Sequence, residues 1–125
     1  MSPVTLSFAA DTANVALART VAAAMAARAD LPIDQLEDVR LAVDEAVSQL
    51  IADAPDGAVV SCTFEAAGLN LHIVLRAPSA SGRTPPRDTF GWTVLNALVD
   101  DVGAEVSDGV VTLDLRIARS VTVQA

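Results

Sequence analysis

A carboxylate and an amide stand four residues apart in the middle of the chain, at Glu45 and Gln49. At about 100° per residue of an α-helix, both side chains fall in one sector, away from the apolar stripe of Val43, Val47 and Leu50. A carboxylate can act as a general base, and an amide oxygen can bind a metal ion. On spacing alone, a solvated polar helix face explains the pair better than a catalytic site does.

The chain has one histidine and one cysteine. His72 lies on the polar face of a predicted strand without a Ser or Cys nucleophile motif, which favours a structural role over that of a catalytic base. Cys62 shares the phase of Val60 and Phe64, which predicts a buried thiol. One Cys excludes an internal disulfide, and one Cys with one His cannot form a zinc site within a single chain. The glycines form neither a Walker loop nor a dinucleotide fingerprint.

Composition limits the function further. The 125 residues predict one domain, 1–125, and the 52% of hydrophobic residues argue against disorder. A net charge of −8, with all eight basic residues being arginine, argues against direct nucleic-acid binding, which needs a clustered basic patch. We find no signal peptide and no apolar run long enough for a membrane span, so we expect a cytoplasmic protein.

Apolar periodicity gives the elements that must position these residues. The first half of the pattern predicts a strand at Pro3–Ala9, a helix capped by Asp11 and ending near Ala29, and a second helix that Asp34 opens with Glu37 in a capping box. Two strands, at Val59–Glu65 and Leu69–Arg76, and a loop at Ala77–Asp88 follow. The last part predicts a helix at Thr89–Val102 stopped by Gly103, a turn at Ser107–Gly109, and a final strand containing Val111 and Ile117. Trp92 belongs to the apolar stripe of the third helix, and Asp100 and Asp101 fall near the end of that helix. The order β-α-α-β-β-α-β-β predicts an α/β (α+β) two-layer sandwich, a mixed, mainly antiparallel sheet covered on one face by three helices.

Three segments together resemble a known family. Arg40–Ile51 resembles the N-box helix of the RsbW/SpoIIAB-type anti-sigma factors, which are serine kinases of the GHKL (Bergerat-fold) ATPase superfamily. Phe90–Leu95, continuing through Leu98–Val102, resembles the second glycine box of that family and the helix behind it. Leu17–Arg19 matches a segment of its first helix. With the element order, the resemblance covers nearly the whole chain.

The resemblance implies ATP and Mg²⁺ as cofactors and assigns roles to particular residues. Glu45 matches the general base, Gln49 stands where the family has the magnesium-binding asparagine, and Gly91 matches a nucleotide-binding glycine. The Asp-x-Gly-x-Gly box is replaced by Ala77–Ser81, in which Ala77 cannot accept the adenine hydrogen bond. The lid over the phosphates is cut down to about Gly82–Asp88. We therefore expect that nucleotide is not bound.

Arg19 matches a family arginine that contacts both the sigma factor and the competing anti-anti-sigma factor. An arginine suits this role because its planar fork pairs with carboxylates. We therefore expect a homodimeric anti-sigma factor that regulates transcription, as in a stress response, by sequestering an alternative sigma factor. We expect an anti-anti-sigma factor to counter it, and we expect the chain itself not to turn over ATP. An active ATP- and Mg²⁺-dependent serine kinase that uses Glu45, and a small-ligand sensor that reuses the cleft, remain the alternatives.

Overall fold

The computed structural model describes residues 2–120, which form five strands and three α-helices. The elements are β1 (Val4–Ala9), α1 (Val15–Arg28), α2 (Ile33–Ala52), β2 (Val59–Ala67), β3 (Asn70–Pro78), α3 (Phe90–Leu98), β4 (Asp101–Ser107) and β5 (Val110–Ala118). The predicted element order and the two-layer α+β architecture are confirmed.

The strands form one sheet in the order β1-β2-β3-β5-β4. All four pairings are antiparallel, so the mainly antiparallel sheet that was predicted is antiparallel throughout its described strands. Side chains alternate across the sheet as period-2 patterning requires. In β5, for example, Leu113 and Leu115 are fully buried while Thr112 and Asp114 are partly exposed on the opposite face.

The helices cover the apolar face of the sheet. The stripe of α2 that includes Val43, Val47 and Leu50 is buried, and so are Trp92 and Leu95 of α3. Alanines such as Ala18 and Ala22 are fully buried on α1, where small side chains let α1 and α2 pack closely. None of the helices in residues 2–120 has the length and apolar character to cross a membrane.

Two helix starts differ from the prediction. Asp11 caps a single 3₁₀ turn, Thr12–Asn14, where its side chain accepts a hydrogen bond from the Ala13 amide, and α1 begins only at Val15. The capping box of the second helix is wrong, because Pro32 occupies the N-cap of α2 and makes no side-chain capping bond. A proline at this position sets the backbone direction into the helix without needing a side-chain acceptor.

The end of the third helix was also wrong. The helix stops at Leu98, and the following residues pair with β5 as the edge strand β4, in which Gly103 lies opposite Asp114. Asp100 directly follows Val99, the C-cap of α3, and its carboxylate accepts a hydrogen bond from the Ala118 amide at 2.7 Å. Pairing with β5 therefore gives the start of β4 an extended conformation, although its local spacing is also compatible with a helix.

Candidate functional site

Glu45 and Gln49 meet on the side of α2 that faces α3. The Gln49 Nε2 group donates a hydrogen bond of 2.9 Å to Glu45 Oε1, as the i, i+4 spacing allows. Gly91, in the first turn of α3, lies directly against both: a Cβ at this glycine would be 2.2 Å from Glu45 Oε1 and 2.7 Å from Gln49 Nε2. The three residues that the resemblance singled out in the cleft therefore form one cluster, across two helices.

Asp53, four residues after Gln49, forms the second polar cluster. It caps the end of α2, and its carboxylate accepts hydrogen bonds from the hydroxyls of Ser79 and Ser81 and from the Ser81 amide. Its carbonyl accepts a further bond, of 2.7 Å, from the Ala80 amide. The serine hydroxyls lower the pKa of the Asp53 carboxyl below its ordinary value, because they stabilise the ionised form. The segment after β3 is thus fastened to the end of α2.

Sequence reasoning missed Asp53. Its spacing was the available signal, since Glu45, Gln49 and Asp53 follow one another at four-residue intervals and so lie along one side of the helix. The sequence did not indicate which residues Asp53 would bind, because Ser79 and Ser81 are 26 and 28 residues away from it.

Between the two clusters lies a cleft of about 540 Å³. We call residues 79–89, which run from the Asp53 cluster to the start of α3, the wall segment. Thr89 ends this segment and caps α3, where its hydroxyl accepts a hydrogen bond of 3.2 Å from the Trp92 amide. The cleft lining is mostly apolar and comprises Glu45, Gln49, Leu50, Ala52, Asp53, Pro78, Ser79, Ser81, Arg83, Thr84, Pro85, Pro86, Thr89, Gly91 and Val111.

Two polar groups of the cleft that could meet a magnesium nucleotide, Gln49 and Asp53, already form hydrogen bonds within the chain. Magnesium prefers several oxygen ligands in a near-octahedral shell, usually with waters. Here the Nε2 group of Gln49 donates to Glu45, and the Oε1 atom of Gln49 is buried without a hydrogen-bond partner among the described residues. The carboxylate nearest the lost glycine box is Asp53, and the chain's own serines already occupy it.

Arg19 lies outside the cleft, on the α1–α2 surface. Its Nη1 forms an ion pair of 2.7 Å with Asp44 Oδ2, and the Arg19 side chain remains 40% exposed. The pair joins the two helices and holds the guanidinium at the surface. Asp44, which directly precedes Glu45, was not singled out from the sequence, because only helix packing brings it to Arg19.

The remaining candidates take structural positions. His72 lies on the open face of the sheet and bonds to Asp114 through Nε2, apart from the cleft. Cys62 is fully buried, and burial raises the pKa of its thiol to about 12, as expected for an unreactive group. Trp92 is only 5% exposed, which confirms the core interpretation, and the Arg87 guanidinium lies 5.3 Å from the centre of its ring.

Residues 8–117 match the histidine kinase-like ATPase domain. The chain belongs to this family. The family assignment agrees with the resemblance of the Glu45 helix and the Gly91 turn, and it covers all five strands at least in part.

Individual relatives refine the comparison. Over 99 residues the chain is 34% identical to the anti-sigma-F factor RsbW of two Mycobacterium tuberculosis strains, CDC 1551 / Oshkosh and ATCC 25618 / H37Rv. The match covers 79% of this chain and 59% of each relative, so the chain spans little more than half of their length. The crystal structure of the RsbU and RsbW domains of Rv1364c from M. tuberculosis has the same fold, with a TM-score of 0.70 at 18% identity, over 98% of this chain and 35% of that one.

Proposed function

We propose that this chain is an anti-sigma factor that sequesters an alternative sigma factor. In this proposal an anti-anti-sigma protein counters the chain, and the chain itself does not turn over ATP. The observation that carries the proposal is the 34% identity, across 79% of the chain, to proteins named anti-sigma-F factor RsbW. The fold that the histidine kinase-like ATPase family shares does not by itself specify a partner.

The position of Arg19 supports a protein-binding role. An arginine that is 40% exposed on a helical surface offers several donors to a partner carboxylate. Asp44 orients the guanidinium and already occupies part of it, so a partner carboxylate has to share or displace that ion pair. An anionic segment of the sigma factor, presented to the α1–α2 surface, is therefore the expected contact.

The cleft supports the absence of turnover. Glu45 has the carboxylate of a general base, but Gln49, which stands at the position of the magnesium-binding asparagine, directs its Nε2 group at that carboxylate. The Asp-x-Gly-x-Gly box, whose glycines let the backbone approach the nucleotide in the family that the chain resembles, is replaced by a segment whose hydroxyls bind Asp53. Release of the sigma factor would then depend on competition by the anti-anti-sigma protein.

The decisive experiment measures binding to each alternative sigma factor of the source organism by isothermal titration. We expect Arg19→Ala to weaken one such complex by about tenfold or more, which corresponds to about 1.4 kcal/mol, and Arg19→Glu to weaken it further. Arg28→Ala is the matched control, because Arg28 ends the same helix and, within residues 2–120, its guanidinium forms no ion pair and donates only to Met25 Sδ. An unchanged complex after both Arg19 substitutions would remove Arg19 from the interface, and binding to none of the sigma factors would refute the proposal.

The kinase alternative makes an opposite prediction. Micromolar binding of ATP with Mg²⁺, with phosphorylation of an anti-anti-sigma protein that is lost in Glu45→Ala or Gln49→Ala, would replace the non-catalytic proposal with an active serine kinase. In the proposed function, neither substitution changes sigma-factor binding, because both side chains face the cleft and not the α1–α2 surface.

Assembly and location belong to the same proposal. We propose a homodimer in the cytoplasm, in keeping with the resemblance to the RsbW/SpoIIAB-type proteins. Sedimentation equilibrium across a range of protein concentrations tests the dimer, and a monomer throughout would refute it. Fractionation of the source cells tests the location.

A further inference from the structure

We propose that the cleft between α2 and the wall segment binds a small apolar ligand that carries a protonated amine, with Glu45 as its counter-ion. This goes beyond the proposed function and does not depend on sigma-factor binding. A ligand of this class differs in charge from the phosphorylated nucleotides that the family name implies.

The dimensions and surface of the cleft suit a small organic molecule. Its volume of about 540 Å³ falls within the range of ligand pockets, roughly 300–1,000 Å³. Leu50 and Val111 bring apolar surface from the core, and Pro78, Pro85 and Pro86 add rigid apolar surface around it. A mostly apolar cavity with a few polar groups at its ends is typical of such pockets.

The polar groups favour a ligand that donates hydrogen bonds. Two carboxylates, Glu45 and Asp53, line the cleft, and its single basic group, Arg83, is exposed. The carboxylate of Asp53 is already bonded to Ser79 and Ser81, whereas the carboxylate of Glu45 accepts only the hydrogen bond from Gln49 within the described chain. Glu45 therefore retains acceptor capacity for an ammonium group, since an ionised carboxylate has about four lone-pair sites.

The same charges disfavour a phosphate. A helix N-terminus attracts anions, and the first turn of α3 opens onto the cleft at Gly91. Glu45 Oε1 lies within 2.2 Å of the Cβ position of that glycine, so a protein carboxylate already occupies this space. A phosphate placed there would be repelled by Glu45, while an ammonium group would be attracted.

The wall of the cleft is held in place before any ligand arrives. Asp53 fastens residues 79–81 through side-chain and backbone hydrogen bonds, and the Ser79 amide donates to the Gly109 carbonyl at 2.8 Å. A wall that is already ordered reduces the entropy lost when a ligand binds. The Asp53 cluster thus gives the cleft a fixed shape, and Glu45 supplies its charge selectivity.

The test uses three probes of nearly equal size and different charge: 2-phenylethylamine, 2-phenylethanol and phenylacetate. Each is titrated into the ¹⁵N-labelled full chain to about 10 mM, well above a 1 mM dissociation constant. We expect shifts of the Thr89, Gly91 and Ser79 amides with the amine, and binding of the amine about tenfold tighter than that of phenylacetate. Glu45→Gln, which keeps the shape and removes the charge, should bring the two affinities to within about twofold.

Asp44→Asn is the matched control, because it removes a carboxylate from the adjacent position of α2 that pairs with Arg19 outside the cleft. It should leave the preference for the amine intact. Three results would overturn the proposal: no cleft amide shifting with the amine, equal or tighter binding of phenylacetate, or a preference that persists in Glu45→Gln. Since the wild-type shifts locate the probe directly, a variant that folds poorly does not leave the question open.

Discussion

Substitution of Gly91 by alanine tests the contact between α3 and the polar pair on α2. The new Cβ would lie 2.2 Å from Glu45 Oε1 and 2.7 Å from Gln49 Nε2, whereas ordinary contact begins at 3.4 Å. The difference, 3.4 − 2.2 = 1.2 Å, is the distance by which the carboxylate would have to withdraw. A movement of that size would break or strain the 2.9 Å hydrogen bond between Gln49 and Glu45.

The expected cost follows from these contacts. Loss of the partly exposed hydrogen bond costs about 1 kcal/mol, and displaced side-chain rotamers cost about 0.5–1.5 kcal/mol. Alanine stabilises a helix by up to about 1 kcal/mol relative to glycine, with less gain in the first turn. We therefore expect Gly91→Ala to lower the free energy of unfolding by about 1 kcal/mol, measured by urea denaturation followed by circular dichroism.

Two comparisons separate this contact from a general effect of alanine. Gly103→Ala is the matched control, because its Cβ would approach nothing closer than 3.8 Å, and it should change the free energy of unfolding by less than about 0.5 kcal/mol. In a Glu45→Ala background the cost of Gly91→Ala should largely disappear, as a double-mutant cycle would show. A stability unaffected by Gly91→Ala, or an equal loss with and without Glu45, would refute the reasoning.

Three further predictions concern the other polar groups. Asp53→Ala should lower the free energy of unfolding by only about 1 kcal/mol, because the hydrogen bonds that it removes are partly exposed to solvent. It should also speed amide hydrogen exchange in residues 79–83. Unchanged exchange would contradict the role of Asp53 in fastening the wall segment. Because hydrogen bonds lower the pKa of Asp53 below 3.8 in the folded state, its ionised form adds stability above that pH, and this contribution is lost as the pH falls through the folded-state pKa. The difference in stability between the wild type and Asp53→Asn should therefore shrink in acid urea titrations, and a constant difference would be inconsistent with the lowered pKa. Cys62, whose pKa burial raises to about 12, should react with iodoacetamide only after unfolding, and mass spectrometry of the native protein would detect any exception.

Much of the fold follows from local patterning. Alternation along β5 predicted which of its side chains face the helices, and the three- and four-residue spacing of Val43, Val47 and Leu50 predicted the buried stripe of α2. These predictions succeed because each depends only on the geometry of its own element, which places residues two apart in a strand or about 3.6 apart in a helix on one face.

One error arose where a distant partner decides the conformation. The helix was predicted to continue to Val102, yet residues 101–103 pair with β5, because strand pairing in the folded sheet overrides the weak local preference of a short segment. The capping box at Asp34 failed for a different and local reason: the nearby Pro32 is the N-cap of α2.

The candidate site divides in the same way. The sequence alone determined that Glu45 and Gln49 share a helix face, that a glycine-rich nucleotide loop is missing and that Cys62 is buried. Tertiary structure decided that Gly91 packs on Glu45, that Asp44 pairs with Arg19 and that Asp53 binds Ser79. The reason is that periodicity sets the direction of a side chain from its own element, while the group it meets depends on how elements far apart in the chain pack together.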